Sequence, residues 1–455
     1  MKILLKGGNV VSEYDVQRKD ILIEGEKIAK LGEGIEDPEA RVIDVSNKLL
    51  FPGFIDAHTH FDLHVAGTVA ADGFASGTRA ALAGGTTVII DFATQYKGQG
   101  LKEALEHWHS KVSAASCDYG FHLAITDWNE EIKRELEEVV KGGVTSFKLY
   151  MTYDEVYLDD GRIYEVLKRL GELKVFSGVH CENKYLIDAL GAQEEAGGRL
   201  SPSSHPLSRP GLVEAEAVSR LFKIARLADA RVMIVHLSSK EALEEVIEAR
   251  KKGQAFFAET CPQYLLLDDS VYSLPDFEGA KYVLSPPIRK EEDSRRLWQA
   301  LREGYIDTIA TDHCSFTMEQ KRAGEADFRK IPNGMPGVEA RAEVLMDIAI
   351  NREGLSYPQM CRLLSANAAK IYGLYPNKGV LQEGADADIV VWDPEYEWVM
   401  SADNQLSLCD YCPFEGRKIR GIAEKVFLHG KEAACRHKVI LENQGKYLKR
   451  ELPYV

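Results

Sequence analysis

Two histidines stand one residue apart in Phe54-Ile55-Asp56-Ala57-His58-Thr59-His60, at the end of an apolar run. On a strand, side chains two apart share a face. His58 and His60 therefore aim at one point, and neutral imidazole is the commonest protein metal ligand. Such a pair also arises by chance or as hydrogen-bonding core residues, so it needs support from elsewhere in the chain. Four further groups end short apolar runs: Lys148 in Ser146-Phe147-Lys148-Leu149-Tyr150, His180 in Gly178-Val179-His180, His236 in Ile234-Val235-His236, and Asp312 in Ala310-Thr311-Asp312. Four imidazoles, a carboxylate and a lysine exceed what one catalytic zinc takes from a protein. They suit two divalent metal ions sharing a water, which acidify it and polarise a carbonyl. Lys148 is the odd member, because an ammonium has no lone pair. It either forms an internal salt bridge to Asp312 or becomes a carbamate that bridges as a carboxylate would. The local sequence leaves both open.

The elements that position these groups follow from the alternation of short apolar runs with amphipathic segments. Eight runs stand out: 50–58, 86–92, 119–125, 146–150, 175–181, 231–237, 254–259 and 308–312. Between them lie segments of helical period, such as 130–141, 160–173, 214–228 and 240–252. Eight βα units imply an α/β fold with a closed (β/α)8 barrel, whose active site sits at the C-terminal ends of the strands. The six polar groups then converge on one barrel mouth. The first fifty residues and the stretches 387–392 and 424–430 instead read as short β-rich runs between turns. That texture pairs the two ends into one smaller β-domain. The expected division is 1–50 plus 375–440 for this domain, 51–374 for the barrel and 441–455 for a C-terminal tail.

Other histidines read as structural. His107 and His109 lie in a helical stretch, where residues two apart do not face each other. His122 sits inside a strand as a core residue, and His313 faces away from Asp312. Net charge is -15 over 455 residues, which argues against nucleic-acid or anionic-membrane partners. No apolar run reaches membrane-spanning length, and the N-terminal apolar stretch is too short for a signal peptide. The eight cysteines are scattered, with Cys409 and Cys412 in a lone CxxC, and read as reduced thiols in a cytoplasm.

The chain resembles the amidohydrolase superfamily, and within it the dihydropyrimidinase/hydantoinase family. The resemblance rests on Pro52-Gly53-Phe54-Ile55-Asp56-Ala57-His58-Thr59-His60, Phe147-Lys148-Leu149-Tyr150-Met151 and Ser285-Pro286-Pro287-Ile288-Arg289. It rests further on Thr311-Asp312-His313-Cys314-Ser315-Phe316 and Lys330-Ile331-Pro332-Asn333-Gly334. It implies a β-sandwich built from both chain ends beside the barrel, two zinc ions and an N6-carboxylated Lys148 that bridges them. His58 and His60 would bind one ion with Lys148 and Asp312, and His180 and His236 the other. The implied reaction is metal-dependent opening of a cyclic amide to an N-carbamoyl amino acid, with Asp312 as general base and acid. Tyr153 would stabilise the oxyanion, while Ser285 and Asn333 would hold the ring. Asp62 occupies the position at which dihydroorotases carry an arginine, and would repel an acid. That directs the reading to neutral rings, dihydropyrimidines or 5-substituted hydantoins, with Phe61, Leu63, Met151 and Tyr157 facing the substituent. An allantoinase-like hydrolase and a non-catalytic interaction protein of the same fold are the alternatives. The resemblance also implies a homotetramer, with the tail reaching a neighbouring subunit.

Overall fold

Eight parallel strands follow one another around a barrel: Phe54–Thr59, Thr86–Thr94, Asp118–Ala124, Ser146–Tyr150, Phe176–His180, Val232–Ile234, Phe257–Thr260 and Thr308–Ile309. The structure is a computed structural model that describes residues 2–454. Met1 and Val455, the outer limits of the expected domain division, lie outside the described residues. Each strand pairs with the next in sequence, as the alternation of apolar runs and helices predicts. Barrel strands are covered on both faces, which is why their sequences are near-continuous apolar runs; Thr86–Thr94 is buried throughout. The returning helices begin on side-chain caps. Asn129 accepts from Glu131 and Ile132 N–H ahead of Glu130–Lys141, Asp159 caps Asp160–Glu172, and Ser239 caps Lys240–Lys251.

The seam between the eighth and first strands is stitched largely by side chains. His60 N–H donates to the His313 carbonyl at 2.8 Å. Asp56 accepts from Thr311 N–H at 3.2 Å and from its hydroxyl at 2.7 Å. The fully buried guanidinium of Arg341 donates to the carbonyls of Ile55 at 2.8 Å and Ile309 at 3.0 Å. Arg341 thus replaces ladder hydrogen bonds where the two strands lie apart.

The run expected over 50–58 is two strands. Leu49–Pro52 pairs with Ile389–Val399 and with Lys2–Val11 in a nine-stranded sheet made from both chain ends, and Gly53 separates it from the first barrel strand. A Cβ at Gly53 would fall 2.0 Å from Thr87 Oγ1, so the switch between sheets passes where only glycine fits. Side chains of the end sheet alternate between two cores, as a period of two requires. Leu50, Ile389, Val391 and Phe427 close the small core of the end domain, while Leu49, Phe51, Val390 and Trp392 pack into the large core shared with the barrel.

The tail, expected to reach a neighbouring subunit, is tied to its own barrel. Tyr119 N–H donates to the Lys446 carbonyl at 3.0 Å, and Arg450 N–H to that of Gly143 at 3.0 Å. The buried Arg450 side chain donates to Ser146 Oγ at 2.7 Å and to the Phe121 carbonyl, forming part of the barrel floor.

Candidate active site

All nine residues singled out for ligation, catalysis or substrate binding line one cavity of about 640 Å³ at the C-terminal end of the barrel: His58, His60, Lys148, Tyr153, His180, His236, Ser285, Asp312 and Asn333. Lys148 lies inside the fourth strand, and His180 ends the fifth. The sixth and eighth strands are shorter than expected, ending at Ile234 and Ile309. His236 and Asp312 therefore lie beyond them, in left-handed backbone with φ of 40° and 55°, and Tyr153 adopts φ 68°. Non-glycine residues seldom adopt this conformation, and such outliers concentrate at functional sites. The left-handed turn re-aims each side chain from the end of its strand into the mouth.

The polar atoms are arranged as a cation would need. His60 Nε2 lies 3.0 Å from Asp312 Oδ1. His58 Nε2 lies 3.1 Å from the same oxygen, without the alignment of a hydrogen bond. His236 Nδ1 is buried and has no hydrogen-bond partner. One ligand atom from each of His58, His236 and Asp312 falls within 4.8 Å of the others. Burial holds His236 well below the usual imidazole range and His60 at about 4, so both rings are neutral and offer lone pairs. Burial opposes the Asp312 charge, yet His58 and His60 hold its carboxyl well below the carboxylate range. Buried lone pairs without donors beside an ionised carboxylate are what a divalent ion satisfies, so the donor set fits one.

Lys148 forms no ion pair with Asp312 among the described residues. Its Nζ lies 5.0 Å from the Phe92 ring centre and 5.3 Å from that of Tyr150. Burial pushes its pKa down to about 8, against the pull of Asp312. Of the two readings left open by the sequence, the direct salt bridge is absent.

Two carboxylates that orient the imidazoles escaped the sequence reading. Glu259, fully buried, contacts His58 Nδ1 at 2.7 Å, and Glu182 contacts His180 Nε2 at 2.8 Å. Each engages one ring nitrogen and thereby turns the other toward the cavity, the usual arrangement behind metal-bound imidazoles. Glu182 is held in turn by Arg209 at 2.6 Å, whose guanidinium lies 5.6 Å from the Tyr153 ring centre. The signal for Glu259 was present, since it closes the seventh apolar run. The other histidines behave as expected. His122 contacts Ser146 Oγ and the Ala57 carbonyl at 2.6 and 2.8 Å. His313 faces away from the cavity, 3.2 Å from Asp72, and His109 packs edge-on against Phe121 and Tyr447. All eight cysteines are free.

Four residues expected at the cavity wall lie elsewhere. Asp62 is not at the wall, because its carboxylate accepts from Phe74 N–H at 2.9 Å at the start of helix Phe74–Ala83. It exerts no direct repulsion on a substrate there. Phe61 is fully buried against Phe74 and His313, Met151 is buried beneath the wall, and Tyr157 packs on Tyr185. Of the four residues expected to face a ring substituent, only Leu63 lines the cavity, together with Val65, Val69, Tyr96 and Val156. These come from the hairpin His64–Val65/Thr68–Val69 and from neighbouring loops that strand counting does not reach.

The profile of the amidohydrolase family matches residues 49–433. The chain belongs to the amidohydrolase family. Members of this family generally depend on a two-metal centre, and His58, His236 and Asp312 form a cluster that could hold a metal ion. Among relatives, the chain is 42% identical to a D-hydantoinase of Geobacillus stearothermophilus, over 99% of this chain and 97% of that protein. It is 38% identical to a dihydropyrimidinase of Dictyostelium discoideum, over 98% and 90%. Among solved structures, the dihydropyrimidinase of Brevibacillus agri superposes with a TM-score of 0.97 at 40% identity, covering 100% of this chain and 99% of that one.

Proposed function

We propose that this amidohydrolase opens the amide bond of a neutral cyclic diamide, a 5-substituted hydantoin or a 5,6-dihydropyrimidine, to an N-carbamoyl amino acid. The observation that carries the reading is the convergence of His58, His60, Lys148, His180, His236 and Asp312 on one cavity, with buried imidazole nitrogens that lack partners. The hydantoinase and dihydropyrimidinase relatives support the substrate class. In this reading Lys148, as a neutral amine near its lowered pKa, adds carbon dioxide and releases a proton to become a carboxylate ligand. Two divalent ions, taken to be zinc, supply Lewis acidity and an acidified water when bound by these residues.

The protein's own groups do the rest. Asp312 accepts the proton of the attacking water and returns it to the ring nitrogen as the C–N bond breaks. Burial pushes the Tyr153 hydroxyl up to about 12, so it stays protonated and donates to the developing oxyanion. Ser285 Oγ and Asn333 Oδ1 are buried without partners; with nearby backbone groups they meet the amide edge of the ring. All six proposed ligands are present, which speaks against a non-catalytic interaction protein.

Localisation to the cytoplasm and assembly into a homotetramer complete the reading. No helix among the described residues is long and apolar enough to cross a membrane. The test is a panel of dihydrouracil, hydantoin, 5-phenylhydantoin, allantoin and dihydroorotate, scored for ring opening with the metal-replete enzyme. Ring opening of the first three is expected; turnover of only the last two would overturn the substrate assignment.

A further inference from the structure

Lys321 is fully buried and ends the short helix Met318–Lys321 outside the cavity wall. Among the described residues it forms no ion pair with a carboxylate. A buried ammonium without compensation is strongly unfavourable. Here its three donors meet three backbone carbonyls: Val283 at 2.9 Å, Pro332 at 2.9 Å and Gly334 at 2.7 Å.

Those carbonyls are not arbitrary. Pro332 and Gly334 flank Asn333, and Val283 lies two residues before Ser285. The two segments also meet directly, since Gly334 N–H donates to the Val283 carbonyl at 3.0 Å. The Pro332–Asn333 peptide is trans. Holding the Pro332 carbonyl on Lys321 therefore turns the Asn333 N–H to the side away from Lys321. The segment is also pressed against the Asp312 loop. Cys314 N–H donates to the Met335 carbonyl at 3.1 Å, and a Cβ at Gly334 would fall 2.3 Å from the Cys314 carbonyl oxygen. Ser285 and Asn333, each with an unpartnered buried side-chain atom, are thus presented by two segments joined through one ammonium.

We propose that Lys321 is a positioning residue for substrate: its tripod of carbonyl contacts fixes the separation and orientation of Ser285 and Asn333 that receive the cyclic diamide. This rests on the reading of those two residues as ring-binding groups. Because Lys321 touches neither the candidate ligands nor Tyr153, its loss should fall on substrate capture and leave the chemical step largely intact.

The test compares Lys321→Met and Lys321→Gln with wild type as metal-replete enzymes on the best ring of the panel, with metal content and Tm measured alongside. In Lys321→Met, KM rises about tenfold or more while kcat stays within about threefold and metal content is unchanged. Lys321→Gln, which keeps two donors, shows a smaller rise. An unchanged KM in a folded, metal-replete Lys321→Met overturns the proposal, as does a fall in kcat with metal loss. If neither variant folds, hydrogen exchange of the wild type decides. Core-like protection of the Gly334 and Met335 amides without substrate supports a preset clamp, and exchange at the rate of surface loops contradicts it. A wild type that opens no ring on the panel fails the functional reading, while the exchange measurement still reports on the clamp.

Discussion

At the scale of single residues, the paired imidazole and carboxylate contacts decide what the site can bind. His58 Nδ1 meets Glu259 at 2.7 Å, and that contact directs Nε2 toward Asp312. Removing the acceptor frees the ring to rotate or to shift its proton to the other nitrogen. Glu259→Ala is expected to weaken metal affinity by about 10–100-fold, with Glu259→Gln retaining most of it. Competitive chelation measures this, and equal affinity in wild type and Glu259→Ala would contradict the role. Five of the candidate ligands were legible in the sequence because residue type and position at or beside the end of an apolar run coincide at His58, His60, His180, His236 and Asp312, whereas Lys148 lies within its strand and was marked by its charge in an apolar run. Glu182 was not, since a buried glutamate beside an apolar run has no signature until its partner is known, and Glu259 was marked only by closing the seventh run. The substituent-facing wall was misread for a related reason. Phe61 and Leu63 would share a face on a strand, but Asp62 between them turns left-handed with φ 50°, so Phe61 is buried while Leu63 lines the cavity.

At the scale of elements, the eight barrel runs and the helices between them were legible because each repeats the same grammar. Leu49–Pro52 was not separable from Phe54–Thr59, since both are apolar and buried throughout and one glycine divides them. Nothing in the sequence announces the seam, whose side-chain closure falls to Arg341, far along the chain. Its guanidinium serves Ile55, Ile309 and Thr86 and lies 3.8 Å from Asp56. Replacing it with methionine takes the donor from the Ile55 and Ile309 carbonyls and leaves the buried Asp56 charge, still hydrogen-bonded by Thr311, without its guanidinium. Arg341→Met is expected to destabilise the fold by roughly 3–5 kcal/mol, read from denaturant unfolding. A loss under about 1 kcal/mol would show that the backbone closes the seam alone.

At the scale of the molecule, the end sheet is fastened to the barrel by buried charges as well as by the shared core. His437, in the hairpin between Lys431–Cys435 and Lys438–Val439, meets Glu343 of helix Arg341–Asn351 at 2.7 Å. Burial works against the imidazolium, but Glu343 outweighs it and holds the His437 pKa up to about 9. The unfolded chain releases that proton near 6.5. The stabilisation is therefore complete below pH 6.5 and is lost as pH rises through 9. The stability gap between wild type and His437→Gln is expected to shrink over that window; a gap independent of pH would remove the charge from the account. The pairing of the chain ends was legible from their β-rich texture, whereas the tail's attachment to the barrel floor was not, because Arg450 finds its partners only once the barrel exists. In the proposed function the barrel mouth hydrolyses neutral cyclic diamides with the help of metal. It is tested most directly by stripping the enzyme with a chelator and titrating zinc back while following hydantoin ring opening. Activity is expected to disappear on stripping and to return in full at about two ions per chain. Undiminished ring opening by the metal-free protein, or none at all after full reconstitution, would contradict it.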